Sequence, residues 1–146
     1  MQASDTCFIL LCATYVMLMT PGIALFYGGL SRARNVLSTS IFSYASLGVG
    51  TIVWAVCGFS LAFGGDIMGL IGDGSYLMLS GVEGVTAPQA ETLPLTVFVS
   101  FQCMFCVLTV ALISGSYVGR IRFASMLLFS VLWILSCYCP MAHWVW

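Results

Sequence analysis

The sequence predicts an all-α membrane protein, a single membrane domain over residues 1–146 with four membrane-spanning helices. The first reason is composition: 61% of the 146 residues are hydrophobic and only 6% are charged, whereas a soluble domain carries about 25% charged residues. The second reason is distribution, because the hydrophobic residues fall into four uncharged runs. Runs of this length can cross a hydrocarbon core of about 30 Å at about 1.5 Å per residue.

The first two predicted helices cover residues 7–27 and 41–63. The first run is too long for the apolar core of a secretory signal, and Asp5 precedes it where a signal would carry basic residues. A pair of glycines follows each run, and such pairs are typical of helix ends. Both runs are therefore predicted to span the membrane.

A glycine-rich segment over residues 66–92 separates the second run from the third, and all of its charges are acidic. It is predicted to be an external loop that holds a short helix around residues 76–79. The third predicted helix covers residues 94–118, with Thr92 as a possible N-cap and Pro94 in the first turn. The fourth covers residues 123–143.

The charges predict how these helices are oriented. Every acidic residue lies at the N-terminus or in the acidic loop, and the arginines lie in the first and third connections. These are Arg32, Arg34, Arg120 and Arg122. The positive-inside rule places both arginine connections in the cytoplasm. A multi-pass protein of the cell membrane is expected, with the N-terminus, the acidic loop and the C-terminal end of this chain outside.

The third run carries Phe98, Phe101 and Phe105 at helical spacing, which places the three rings on one face. With the predicted orientation, Phe101 lies about 10 Å and Phe105 about 16 Å below the outer surface. Aromatic rings attract cations, by roughly 0.5 to 2 kcal/mol, and packing between helices or contact with lipid is the alternative role. Further along, small residues four apart (Ala111, Gly115 and Gly119) predict a close approach by another helix.

The sequence offers little catalytic or metal-binding chemistry. No carboxylate falls inside a spanning run, and the single histidine, His143, is interpreted as an interfacial residue. Cys103 and Cys106 have the spacing of metal ligands, but no second pair accompanies them, so the seven cysteines are interpreted as free thiols. We therefore expect neither an enzyme, nor a metal site, nor a cofactor.

Several motifs in order along the chain resemble the ammonium transporters (Amt, Mep and Rh proteins). The matching stretches are residues 19–30 and 34–37, Trp54 with residues 58–64, Phe101-Gln102 with Phe105, residues 111–115 and 120–123, and Trp133 with residues 139–146. Only the acidic loop matches weakly.

The resemblance implies a homotrimer with a separate pore in each subunit, a substrate of ammonium or ammonia and, in many members, a cytoplasmic PII-type regulator. By position, Trp146 matches the aromatic residue of the outer recruitment site. Phe101 and Phe105 match two stacked phenylalanines that gate the pore below it. Phe98 has no such match and is predicted to be a packing residue. The short arginine connections show no obvious docking element for a regulator.

The departures from the family are equally informative. The resemblance implies about eleven helices in two inverted repeats of five, and this chain holds the first four. The two pore histidines of the family belong to later helices, so His143 is neither of them. Gly119 replaces the usual acidic residue before Arg120. We therefore expect that the 146-residue chain does not conduct ammonium alone.

Three hypotheses follow for the function. The first is ammonium transport, with this chain as the N-terminal part or a short member of an ammonium transporter. The second is a non-conducting four-helix scaffold or accessory subunit of a full-length transporter. A small cation channel formed by oligomers has no separate support. The sequence leaves open whether ammonium, ammonia plus a proton, or another small amine is carried.

Overall fold

Four long helices dominate the computed structural model, which describes residues 2–117 and 119–146. The four membrane helices, numbered in chain order, are Ala3–Leu30, Ala33–Phe63, Leu95–Tyr117 and Phe123–Val145. Each is long and apolar enough to cross a membrane. The predicted helical class and the number of spanning helices are confirmed.

The first and second membrane helices extend beyond their predicted ends. The first begins at Ala3, and the second begins with a 3₁₀ turn at Ala33–Asn35, well before residue 41. The sequence prediction missed this start because the segment is polar. Thr39 and Ser40 donate their hydroxyls to carbonyls of their own helix, those of Asn35 and Val36, at 2.9 and 3.0 Å. Their polar groups are thus satisfied within the helix.

The acidic loop is folded into two small antiparallel hairpins. Strands β1 (Asp66–Ile67) and β2 (Ile71–Gly72) form the first hairpin. Strands β3 (Thr86–Ala87) and β4 (Ala90–Pro94) form the second. Between the hairpins, a 3₁₀ turn covers Leu77–Leu79, close to the short helix predicted there.

The third membrane helix begins at Leu95, one residue after its predicted start, but the predicted N-terminal cap is wrong. Thr92 and Pro94 belong to strand β4, so Thr92 is no N-cap and Pro94 is not in the first helical turn. Strand pairing continues to this point, and the amide of Leu95 donates to the carbonyl of Val85 at 2.8 Å. Proline is tolerated at such a strand end because it has no amide to contribute. The predicted helix end at residue 118 lies outside the described residues.

The third membrane helix lies against both the first and the second. A Cβ atom at Gly50 would come within 2.9 Å of Val107 Cγ2, so the second helix approaches closely there. A Cβ at Gly115 would overlap the ring of Tyr27, whose hydroxyl donates to the carbonyl of Leu112 at 2.9 Å. The close approach predicted for the small residues is therefore confirmed at Gly115.

Gly119, in contrast, lies in the turn after the third helix, with a φ of 74° that favours glycine. It therefore takes no part in the helix contact that the spacing of small residues predicted.

Both ends of the chain lie at one end of the helix bundle, which we call the acidic end. There the amide of Gln2 donates to the carbonyl of Thr92 at 2.8 Å. The indole of Trp144 donates to the carbonyl of Leu70 at 2.9 Å. The opposite end carries the two arginine connections, and we call it the arginine end.

Candidate functional site

The third membrane helix has two contrasting faces. One side packs into the bundle, with the buried residues Leu95, Phe98, Val99, Gln102, Cys103, Cys106, Val107, Val110, Ala111 and Ser114. The other side carries Phe101, Phe105, Leu108 and Leu112, at steps of four, three and four residues. These steps place the four side chains on one face, and none of them is fully buried. We call this the open face.

Phe101 and Phe105 form a ring pair on the open face. Their centroids are 5.0 Å apart and their planes meet at 79°, an edge-to-face arrangement. The resemblance implied stacked rings, and the geometry differs. The negative face of one ring attracts the positive edge of the other, which makes this arrangement favourable. The pair forms half-buried hydrophobic surface near the acidic end of the helix.

Trp146 lies at the acidic end, one helical turn beyond Ala142. Its amide donates to the carbonyl of Ala142 at 3.0 Å, and the residue is 63% exposed. Within residues 2–117 and 119–146, no ring pair joins Trp146 to Phe101 or Phe105. The structure therefore brings the two phenylalanines together and leaves Trp146 separate from them.

Phe98 belongs to the packed side, as the sequence predicted. Only 5% of the residue is exposed. Its ring lies 5.0 Å from that of Phe63, at 85°. Phe98 therefore joins the second and third membrane helices and does not face the open side.

An aromatic cluster behind Phe98 was not recognised in the sequence. The indole of Trp54 makes edge-to-face contacts with three neighbouring rings. The ring centroids lie 5.9 Å from Phe59, 6.1 Å from Phe63 and 6.1 Å from Tyr138. The indole nitrogen of Trp54 donates to the carbonyl of Val99 at 3.2 Å. Val99 is two residues before Phe101, so the cluster holds the backbone that carries the ring pair. The only sequence signal is the spacing of aromatics in the second helix.

Two π-helical turns interrupt the membrane helices beside this cluster. They cover Trp54–Gly58 in the second helix and Ile134–Tyr138 in the fourth. The thiol of Cys139, which follows the second π turn, lies 3.5 Å from the carbonyl of Gly58. Each π turn holds one extra residue, which rotates the rest of the helix by about 100°. The direction of the last segment of the chain, Cys139–Val145, therefore depends on a feature that the helical period does not reveal.

His143 makes contacts that the interfacial interpretation did not include. Its Nδ1 atom lies 3.0 Å from the carbonyl oxygen of Ala62. Its Nε2 atom lies 3.1 Å from Oδ1 of Asp66. The histidine thus joins the fourth helix to the end of the second and to strand β1.

The second acidic side chain near this hairpin, Asp73, is held by its own loop. Its carboxylate accepts from the amides of Gly65 and Ser75 at 2.9 and 3.0 Å. Hydrogen bonds from the Ser75 side chain and amide, and from the Gly65 amide, lower the pKa of Asp73 below its ordinary value. The carboxylate is thus charged at neutral pH and fixes the loop.

The seven cysteines are free thiols, and three of them (Cys103, Cys106 and Cys139) are buried. Across the described ranges, 2–117 and 119–146, no group of three or more histidine, cysteine or acidic residues is placed to hold a metal ion. The pair Cys103 and Cys106 lies on the packed side of the third helix. These thiols act as small hydrophobic side chains.

Residues 7–146 match the model of the Ammonium Transporter Family. The chain belongs to this family. It is 47% identical over 148 residues to an ammonium transporter of Bacillus subtilis (strain 168), an alignment that covers 100% of the chain and 36% of that relative. The ammonium transporters are not enzymes, in agreement with the sequence prediction.

Solved structures of the family have the same helix arrangement. The crystal structure of Saccharomyces cerevisiae Mep2 superposes with a TM-score of 0.90 at 35% identity, covering 99% of this chain and 32% of that one. A structure titled Sensor Amt Protein superposes at 0.87 with 22% identity, which shows the fold alone. The chain thus spans about a third of the length of the relatives it matches.

One face of the third membrane helix is left open within this chain. The chain matches about a third of each relative, and the family's remaining helices have no counterpart in it. The open face is the part of the third helix whose side chains the other three membrane helices do not fully bury.

Proposed function

We propose that this chain forms the first four membrane helices of an ammonium transporter. The observation that carries the proposal is the open face, where an aromatic pair is uncovered on a helix whose other side is packed in the bundle. In a transporter of the family's length, further helices cover this face and enclose a path between the two parts. Ammonium, or ammonia with a separately moved proton, is the expected cargo.

Phe101 and Phe105 are proposed to form the gate of this path, and Trp146 to form its recruitment site. An aromatic face attracts a cation by roughly 0.5 to 2 kcal/mol, depending on how far water is removed. This is far less than the cost of carrying a charge through hydrocarbon. Aromatic residues at the mouth therefore concentrate ammonium, and loss of a proton lets the neutral species pass the rings.

The acidic end is proposed to face outward, with both ends of this chain there. The support is the segregation of charge: the four arginines occupy the opposite end of the bundle. A cysteine replacing Ser75 in the acidic loop should react with a membrane-impermeant maleimide added to intact cells. A cysteine replacing Ala33 should not react, in a background where the exposed Cys7 and Cys137 are serine. If only Ala33→Cys is labelled, the arginine end faces outward and the proposed orientation is wrong.

Assembly is a further proposal that rests on the family. A homotrimer is expected, and a PII-type protein is the expected cytoplasmic regulator of the full-length protein. The first helix exposes a wide apolar surface, including Phe8, Tyr15, Leu18 and Leu25. Such a surface suits either lipid or a neighbouring subunit, and native mass spectrometry of the full-length protein distinguishes a trimer from a monomer.

The test is uptake of methylammonium by the full-length protein that contains this chain. Trp146→Leu removes the cation–π contact, so the KM should rise about two- to thirty-fold, the range that corresponds to 0.5 to 2 kcal/mol. Phe105→Ala should alter the rate and the selectivity against other monovalent cations. Phe8→Leu, a change at an exposed ring on the first helix, is the control and should leave uptake unaltered. Unchanged uptake in both site variants would overturn the site assignment.

The alternative, a non-conducting scaffold or accessory subunit, is tested with the chain alone. The purified 146-residue chain in liposomes should give no ammonium flux above that of empty vesicles. Without further helices against the open face, no path is enclosed. Flux through these liposomes would contradict this expectation. If the chain instead increases uptake by a separate full-length transporter without conducting, the accessory hypothesis gains support.

A further inference from the structure

The contact between His143 and Asp66 joins two parts of the chain that are 77 residues apart. His143 lies in the last helical segment, three residues before Trp146, and Asp66 opens strand β1. The histidine side chain is 14% exposed and that of the aspartate 61%. The contact is therefore at the surface of the acidic end, with the imidazole turned into the protein.

Both ring nitrogens of His143 face oxygen atoms that can only accept a hydrogen bond. One is the carbonyl of Ala62 and the other is the carboxylate of Asp66. A neutral imidazole has a single N–H, whereas the imidazolium has two. The imidazolium is therefore the form that donates to both partners. Its positive charge is stabilised by the carboxylate of Asp66 and by the C-terminal end of the second helix, whose last carbonyls lack helical partners.

The Asp66 carboxylate is itself held in place by its hairpin. Both of its oxygens lie near the amide of Gly69, at 3.0 and 3.1 Å. Gly69 has a φ of 72°, a conformation that glycine adopts without strain. The same hairpin accepts the indole N–H of Trp144 at the carbonyl of Leu70, at 2.9 Å. Two consecutive side chains of the fourth helix are thus bound to one hairpin.

The hairpin also packs tightly on the end of the second helix. A Cβ atom at Gly72 would overlap the carbonyl oxygen of Ser60, and one at Gly64 would overlap the same atom. The hydroxyl of Ser60 donates to the carbonyl of Asp73 at 2.7 Å. The first hairpin is therefore a fixed platform on the second helix, against which the fourth helix is held.

No other charged group among the described residues competes for His143 at this contact. The segment Phe59–Phe63 of the second helix has no titratable side chain. Asp73 is bound to the amides of Gly65 and Ser75. Asp66 is thus the carboxylate that meets the imidazole.

We propose that Asp66 and His143 are positioning residues, which tie the acidic end of the fourth helix to the first hairpin and thereby set the place of Trp146. Trp146 follows His143 by less than one helical turn, about 4.5 Å along the axis. Its own ring is mostly exposed and its only hydrogen bond within the described residues is the amide bond to Ala142. The position of its indole therefore depends on how firmly the segment before it is held. The functional part of this inference rests on the recruitment role proposed for Trp146.

The first experiment measures the place of Trp146 directly. The full-length protein is labelled with 5-fluorotryptophan, and the Trp146 resonance in the fluorine NMR spectrum is assigned from its loss in Trp146→Phe. Asp66→Ala and His143→Phe should shift or broaden this resonance, since the segment before Trp146 loses its His143 contact with the hairpin and keeps only the Trp144 bond. An unchanged resonance in a folded Asp66→Ala protein would overturn the proposal.

Asp66→Asn is the conservative variant that separates positioning from general loop damage. An asparagine amide donates to Nε2 of a neutral His143, whose Nδ1–H still donates to Ala62. Both hydrogen bonds therefore survive without the charge, and the Trp146 resonance should stay at its wild-type position. Glu83→Ala, which removes a different acid from the same loop, is the control and should also leave it unchanged. A shift in Glu83→Ala equal to that in Asp66→Ala would overturn the proposal.

The second experiment measures methylammonium uptake by the same variants. Asp66→Ala should raise the KM several-fold with little change in kcat, and Asp66→Asn should restore the KM. Suppose that the Trp146 resonance moves in Asp66→Ala and that Trp146→Phe alters the KM. If Asp66→Ala then leaves the KM unchanged, the functional part of the inference is overturned. If the resonance moves but neither Trp146→Phe nor Asp66→Ala alters the KM, the recruitment role of Trp146 is wrong. The positioning role of Asp66 and His143 is then still supported.

Discussion

Both faces of the third membrane helix are rich in apolar residues, yet only one is buried. The packed face meets the second helix closely, where Val107 lies against Gly50. On the open face, Phe101 and Phe105 are only partly buried by the other three helices. Lipid chains are as apolar as leucine, so hydrophobicity alone does not drive one face inward. Close approach and polar contacts decide which face is covered.

The largest difference between the faces is expected for phenylalanine truncation. Phe98→Ala should lower the free energy of unfolding by about 3 kcal/mol, because it leaves a cavity beside Phe63. Phe101→Ala should cost less, since its ring is proposed to line the path of the full-length protein and is only half-buried among the helices of this chain. Thermal unfolding of the full-length protein in detergent, compared between the two variants, measures this. Equal destabilisation would mean that further helices bury Phe101 as tightly as Phe98.

A smaller effect is expected where the second and third helices approach each other. Gly50→Ala introduces a methyl group 2.9 Å from Val107 Cγ2 and 3.3 Å from its Cα. Such overpacking costs about 1 to 3 kcal/mol. Gly48→Ala is the matched control, two residues away in the same helix, with nothing within 4 Å of its added methyl group. Similar melting temperatures for the two variants would show that the helices are not in close contact at Gly50.

The smallest effect is expected for Trp54→Phe, which keeps an aromatic ring in the cluster and removes one hydrogen bond to Val99. A hydrogen bond between membrane helices contributes about 0.6 kcal/mol on average. The loss of stability should therefore be modest. Because Val99 is close to Phe101, the variant should also broaden the fluorine resonance of a labelled phenylalanine at 101. Trp144→Phe, which removes the indole bond to Leu70, is the control and should leave that resonance unchanged.

Much of the fold follows from the sequence because the membrane imposes simple requirements. Every backbone group in hydrocarbon needs an internal partner, so uncharged runs of about 20 residues become helices. The hairpins of the acidic loop did not follow, since strands of two residues such as β1 and β2 have no periodic pattern. The N-terminal cap predicted for the third helix was also wrong, because the residues before Leu95 pair as a strand.

The candidate site was only partly visible in the sequence. Helical spacing placed Phe98, Phe101 and Phe105 on one side, but the spacing is too coarse to tell which ring is buried. The structure separates Phe98 from the other two by burying it against Phe63. Trp54, whose indole reaches Val99, was known only as part of a family motif. A hydrogen bond across 45 residues leaves no local signal in the sequence.

The sequence by itself determined the class of this protein, its four membrane helices, the separation of its arginines from its acids, and its family. These properties follow from composition and from the order of residues along the chain. The tertiary structure alone decided which face of the third helix stays open and which residues meet at the acidic end. His143 reaches Asp66 only because two π turns and a tightly packed hairpin set the direction of the fourth helix. Contacts of this kind depend on the relative placement of distant segments, which no hydrophobic pattern encodes when every face is apolar.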